Sequence, residues 1–424
     1  MSEESNRNEA MAAENKARLA GNETNETKSK LTDLKLTRRS LLGAVPLTTA
    51  GLSLASLAGA GRADAQQERP QVRPEKHKEP PLENFKYDLD ASTGFAGESG
   101  TAKEVTVAEF PVSQSIAGVS MVLKPGGIRE LHWHAIAAEW AYVIEGNVRT
   151  TVLNPKGEAA QDDFGPGDIW YFPKGHPHSI QNMGRRDAHF ILVFDDGHFS
   201  EFGTFSITDW FSQVPPEVLS RDSGLSLRTI AGLPKGEAYI TPGRIPPREQ
   251  APFRNGDAVI SQSAHKFRLL ESEPHVWPGG EERIVDSHDF EISKTIVGAI
   301  MDLKPGTLRE MHWHPNADEW QYYIKGRARV GIFGAHGRSK VEEFGPGQVA
   351  FIQQGFGHYV EQVGDEPTRI LITFPAAEYQ EISVSTWLSN NPAQLLEDNF
   401  GITPDDVARM PKSKMAIYGP HAKE

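Results

Sequence analysis

Arg129-Glu-Leu-His-Trp-His134 is followed by Glu139, and 180 residues later Arg309-Glu-Met-His-Trp-His314 is followed by Glu319. The same offset joins Met121-Val-Leu-Lys-Pro-Gly126 to Met301-Asp-Leu-Lys-Pro-Gly306, Phe164-Gly-Pro-Gly167 to Phe344-Gly-Pro-Gly347, and His178 to His358. A spacing that holds from Met121 to His178 means no net insertion between the copies, so the two should fold alike. The chain is a tandem duplication.

Working outward, runs such as Ser115–Leu123, Glu139–Ile144, Val148–Leu153, Ile169–Phe172 and Phe190–Phe194 concentrate β-branched and aromatic residues between Gly, Pro and Asn punctuation. That rhythm predicts an all-β fold, two tandem antiparallel barrels of the double-sheet jelly-roll kind, because closure removes exposed strand edges. After each barrel, around Pro215–Ala231 and Pro392–Met410, Pro-initiated patterns predict short accessory helices. The boundaries read as a first barrel over 84–250 and a second over 251–424, with Thr241-Pro-Gly-Arg-Ile-Pro-Pro-Arg248 as linker.

On a strand, positions two apart share a face, so His132 and His134 point into the first barrel, where Glu139 and His178 arrive from neighbouring strands. His312, His314, Glu319 and His358 repeat the set. One His-x-His pair alone reads as surface decoration; four positions kept in both copies read as a metal site. Imidazole and carboxylate without sulfur suit Mn, Fe, Ni, Cu or Zn. Arg129 and Arg309, each three residues before the first histidine, offer a guanidinium beside each metal, either as an anchor for an anionic substrate or as a structural partner for a strand-edge carboxylate.

Composition narrows the rest. The 424 residues carry 44 Lys+Arg against 57 Asp+Glu, net −13, with no long basic block, which argues against nucleic-acid phosphates or an anionic membrane surface as partners. The absence of cysteine excludes disulfides, thiolate metal sites and a cysteine nucleophile. Residues 1–36 are polar without apolar periodicity and read as a disordered leader. Thr37-Arg38-Arg39-Ser40-Leu41-Leu42, the uncharged stretch Leu41 to Ala60 and Ala63-Asp64-Ala65 then follow the order of an export signal, so 1–65 is read as leader and signal and 66–83 as linker. The alternative, a membrane anchor, is opposed by the mild hydrophobicity of the stretch. The segment resembles a twin-arginine signal, which implies export of a folded protein to the periplasm or the extracellular space.

The strings Arg129-Glu-Leu-His-Trp-His, Glu139-Trp-Ala-Tyr, Trp170-Tyr-Phe-Pro, Phe194-Asp-Asp-Gly197 and Glu319-Trp-Gln-Tyr-Tyr-Ile324 are similar to the bicupin oxalate decarboxylase family. The resemblance implies one Mn(II) per cupin domain, oxalate as substrate, dioxygen as co-reactant, and a trimer or hexamer. It also implies one-electron oxidation of oxalate coupled to proton removal, loss of CO2, and protonation to formate. In the family, the segment matching Asp195-Asp-Gly-His-Phe-Ser-Glu201-Phe-Gly-Thr204 is a lid whose glutamate delivers that proton. Glu201 matches it, with Gly197 and Gly203 as expected flexible points, while Phe202 and Gly203 replace the usual Asn and Ser. The glutamate that the family carries in the second barrel is Ile372 here, so that barrel is expected to lack its acid. Glu361, three residues after His358, is expected to face away from the ligands. Competing readings are an oxalate oxidase yielding CO2 and peroxide, a non-catalytic storage or ligand-binding bicupin, and a cupin dioxygenase or isomerase acting on a larger substrate.

Overall fold

The computed structural model describes residues 79–248 and 264–420; the leader and export signal lie outside the described residues. Each copy forms a barrel of two facing antiparallel sheets, and the predicted strands lie within two residues of those observed: Ala117–Leu123, Glu139–Glu145, Val148–Leu153, Asp168–Phe172 and Ala188–Phe194. The expected accessory helices form, at Pro216–Ser223 and Leu227–Ala231 after the first barrel and at Ala393–Phe400 and Pro404–Arg409 after the second, and each group is preceded by a helix outside the expected ranges, Ile207–Gln213 and Val384–Ser389.

In the first barrel one sheet orders Phe205–Ser206, Ile128–Trp133, His178–Asn182, Val148–Leu153 and Ala159–Phe164, and the other is centred on Glu139–Glu145 and Ala188–Phe194. The second barrel repeats both sheets. Two short strands cross over. Lys86–Asp88, from the beginning of the first copy, pairs with Gln348–Ile352 in the second barrel, and Lys266–Arg268 pairs with Asp168–Phe172 in the first. Each barrel therefore has an edge strand supplied by a segment lying before the body of the other copy.

Three apolar clusters hold the molecule together. One fills each barrel, around Met121, Phe190 and Trp170 in the first and around Met301, Ile370 and Tyr323 in the second. The third joins them and holds Trp140, Trp320, Ile191 and Leu371. It depends on two glycines: a Cβ on Gly118 would come within 2.4 Å of Trp320, and one on Gly298 within 2.2 Å of Trp140. Each indole lies on the bare backbone of the opposite barrel, a close approach only glycine permits. The same tryptophans immediately follow Glu139 and Glu319 in sequence, so the inter-barrel core also anchors the strands that carry both carboxylates.

Candidate metal centres

His132 and His178 face one another across adjacent strands, and His312 and His358 do the same. In each barrel the three histidines and the glutamate bring one ligand atom apiece to within 4.8 Å of one another, and all eight side chains are buried. The imidazoles are aimed by their far nitrogens. Nδ1 of His132 donates to the Glu130 carbonyl (2.5 Å), that of His178 to His176 (2.9 Å), that of His312 to Glu310 (2.7 Å) and that of His358 to Phe356 (3.0 Å). Each bond leaves Nε2 with its lone pair directed at the centre. Burial, and then the Arg129 guanidinium, hold the His132 imidazole well below its usual range; burial and Arg309 do the same to His312. Burial would raise the Glu139 carboxyl, but the facing imidazoles of His178 and His134 outweigh it and hold it low. Neutral imidazoles beside an ionised carboxylate are the protonation states a divalent cation requires.

The donor set fits a metal on one further observation. In the second barrel Glu319 Oε2 lies 2.9 Å from both His314 Nε2 and His358 Nε2, yet none of these three atoms meets a hydrogen-bonding partner in proper alignment, and His132 Nε2 in the first barrel likewise has none. Buried polar atoms without partners are costly, and a cation between them satisfies all of them. The outer carboxylate oxygens are held differently in the two centres: Glu139 Oε1 accepts from the Trp170 indole (2.7 Å), whereas Glu319 Oε1 accepts from Gln321 (2.7 Å), itself held by Tyr323 (2.6 Å). Trp170 and Gln321 both stand in the strings quoted above, but a string does not show which carboxylate oxygen a side chain meets.

Arg129 and Arg309 lie inside, although a spacing of three would point them away on a regular strand. A β-bulge restores them: the register slips between Arg129 and His132, and again between Arg309 and His312. Leu131 and Met311 turn outward instead. Arg129 is fully buried; Nε donates to Glu201 (2.7 Å), Nη2 to Thr204 (2.9 Å), and the guanidinium lies 4.2 Å over the Tyr239 ring. Glu201 reaches the centre, its Oε2 3.9 Å from His134 Nδ1. Glu361 faces outward and pairs with Arg329 at 2.9 Å, as its odd spacing predicts.

Two expectations are corrected. Gly197 is a fixed point: a Cβ there would stand 2.0 Å from the Ser113 carbonyl, and its own backbone bonds to Val107 and Gln114. Only Gly203, with open space around it, is free of such constraint. The second barrel also does not lack a buried carboxylate beside its arginine, for Arg309 donates to Glu381, which in turn accepts from Tyr379 (2.6 Å). Glu381 stands 180 residues after Glu201, on the loop that follows the strand of Ile372 and not on that strand.

Two antiparallel barrels, each closing on three histidines and a glutamate, define a duplicated metal-binding cupin. The Cupin family model matches residues 89–231 and again 267–408. The chain belongs to the cupin family and, within it, to the bicupin oxalate decarboxylases. It is 41% identical to the oxalate decarboxylase OxdC of Bacillus subtilis over 79% of this chain and 87% of that one. It is 32% identical to an oxalate decarboxylase of Arthroderma benhamiae over 79% and 84%. Among solved structures, one of the Bacillus enzyme at pH 4.6 superposes with a TM-score of 0.76 at 40% identity, covering 81% of this chain and 89% of that chain. Another structure of that enzyme concerns its Mn(II) centres, with the same TM-score.

Proposed function

We propose that the chain is a manganese-dependent oxalate decarboxylase that converts oxalate and a proton to formate and CO2, with dioxygen as co-reactant. The observation that carries it is a buried guanidinium in the first barrel beside three histidines and one glutamate, on the same strand as His132, where a small dianion can meet a cation and a fixed fork of donors together. Manganese held by His132, His134, Glu139 and His178, and by His312, His314, Glu319 and His358, would supply one-electron chemistry and a Lewis acid for a carboxylate oxygen. Arg129 orients the substrate and balances its charge, and Arg309 is the matching group in the second barrel. Glu201 delivers the proton to the carbon left after CO2 departs, so the overall reaction is redox-neutral. Its segment excludes water while it is closed.

This reading extends to export by a twin-arginine signal to the periplasm or outside the cell, which lets manganese be loaded before transport although the divalent affinity order disfavours it. No helix among the described residues is long and apolar enough to cross a membrane. It also includes a homo-oligomer, trimer or hexamer, supported by exposed Leu131 and Trp210 on the first barrel and Met311, Phe333 and Trp387 on the second. The test measures formate, CO2 and peroxide together from oxalate with Mn-loaded protein. Formate with little peroxide is expected from the native protein, and Glu201→Ala should depress formate and raise the peroxide share. Peroxide as the native product would make it an oxidase, and an unchanged ratio in Glu201→Ala would remove Glu201 from the chemistry.

A further inference from the structure

The two arginine sites differ in what surrounds them. In the first barrel three residues, Phe202-Gly203-Thr204, separate Glu201 from the strand Phe205–Ser206, which is pinned to His132 and Trp133. In the second, Glu381 is directly followed by Ile382–Ser383, pinned to Trp313 and His312 in the same register. The loop before Glu381 is also tied down. The Gln380 carbonyl accepts from ligand His314 (2.7 Å), the Glu378 carbonyl from Asn316 (2.9 Å), and Tyr379 N–H donates to Asp286 (3.2 Å). The first loop is held before its glutamate as well, Ser200 Oγ and Glu201 N–H each donating to Glu104 (2.9 Å), so the difference lies after it: three residues in the first loop and none in the second.

Charge differs too. Glu237 stands 3.7 Å from Arg129, two residues before the carbonyl of Tyr239 that accepts from that arginine. At the corresponding place, two residues before the Ala416 carbonyl that accepts from Arg309, stands Lys414, whose Nζ is 3.1 Å from Glu381. Arg309 has a second acid too, Glu282 at 3.6 Å from its Nε, so the difference is the added lysine: the Glu381 carboxylate sits between two cations and a tyrosine hydroxyl, arranged as a carboxylate-binding pocket would be. The cavity left beside it, lined by Arg309, His312, His314, Glu319, Ile372 and Tyr379, measures about 20 Å³. That is room for about one water molecule, and not for a dicarboxylate.

We propose that Glu381 is an intramolecular substitute for substrate, a tethered carboxylate that occupies the anion pocket formed by Arg309, Lys414 and Tyr379 and so determines which anions the second barrel admits. The proposal rests on the oxalate reading. In the first barrel the lid glutamate has slack to leave Arg129; in the second, oxalate would have to displace a carboxylate that has nowhere to go.

The experiment is anaerobic calorimetric titration of Mn-loaded full-length protein with oxalate, with metal content measured in parallel and the Mn(II) electron paramagnetic resonance spectrum recorded at each addition. One oxalate per chain is expected for the native protein, perturbing one manganese signal. Two per chain, perturbing both, are expected for Glu381→Ala. Glu381→Gln keeps the volume and the Tyr379 contact while giving up the charge, and should show a second, weaker site even if the alanine variant fails to fold. Two oxalates on the native protein overturn the proposal, as does one on both variants with two manganese ions retained. No oxalate on any form overturns the oxalate reading instead, because the first barrel's pocket does not involve Glu381.

Discussion

Arg129 shows how a single side chain links the duplicated motif to chemistry. Its spacing from His132 is odd, its burial is complete, and only the bulge between them reconciles the two. Arg129→Lys keeps the charge but loses the fork that holds Glu201 and Thr204 together. Oxalate turnover should fall by on the order of 10²-fold with manganese content unchanged; loss of metal in that variant would make Arg129 a structural residue. The buried histidines predict a pH dependence of the metal-free protein. His132, His134 and His312 are held below their ordinary value of 6.5 by burial, first of all. As pH falls through about 6.5 the unfolded chain takes up protons that the folded centres refuse, so stability is lost, at up to about 1.4 kcal/mol per pH unit for each such histidine. Glu139 and Glu319 are depressed from 4.5 and add a further loss below that value. Urea midpoints of chelated protein should therefore drop between neutral and mildly acidic pH, and a His132→Gln, His312→Gln pair should flatten the drop; equal slopes would contradict the assignment of these groups. That the eight histidines and glutamates come together in two clusters was legible from sequence, through a strand's period of two and a repeated offset. Glu381 was not, because it lies on a loop three residues shorter than its counterpart, where periodicity says nothing.

Five strands of the first copy were legible to within two residues, since apolar runs bounded by Gly and Pro mark a buried pleat directly. The loops were not, and Gly197 is the instructive case: glycine serves close approach as well as flexibility, and the sequence alone does not distinguish them. The distinction is measurable. Gly197→Ala should cost about 2–4 kcal/mol, because the contact to Ser113 is backbone and cannot yield. Gly203→Ala should change stability by no more than about 1 kcal/mol while slowing turnover, if closure of the segment bearing Glu201 depends on that residue. Calorimetry alongside formate release separates the two effects, and equal melting temperatures for both variants would contradict the fixed-point assignment. The exchanged strands, Lys86–Asp88 and Lys266–Arg268, were equally unreadable; three residues are too few to show a pattern, and their partners lie in the other copy.

For the whole molecule, the two barrels are bound by the reciprocal seating of Trp140 and Trp320 on opposing glycines, and their outer faces remain apolar. A groove of about 550 Å³ runs past Met311, Trp313, Phe333 and Trp387, and a related one past Leu131, Trp133 and Trp210. If these faces join copies of the chain, Trp210→Lys with Trp387→Lys should reduce the mass seen by light scattering to that of smaller species, with manganese retained in both barrels; an unchanged mass would place the oligomer contacts elsewhere.

The exchanged edge strands also impose an order on synthesis. Asp88 leaves the ribosome 260 residues ahead of Gln348, the residue whose side chain it meets, so the beginning of the first half must wait, unpaired, while nearly the whole chain is made. The first barrel in turn is not complete until Lys266–Arg268 has emerged. Although the sequence reads as one module written twice, neither half can finish before the other has begun, and cutting the gene at its midpoint would yield two incomplete sheets in place of two proteins.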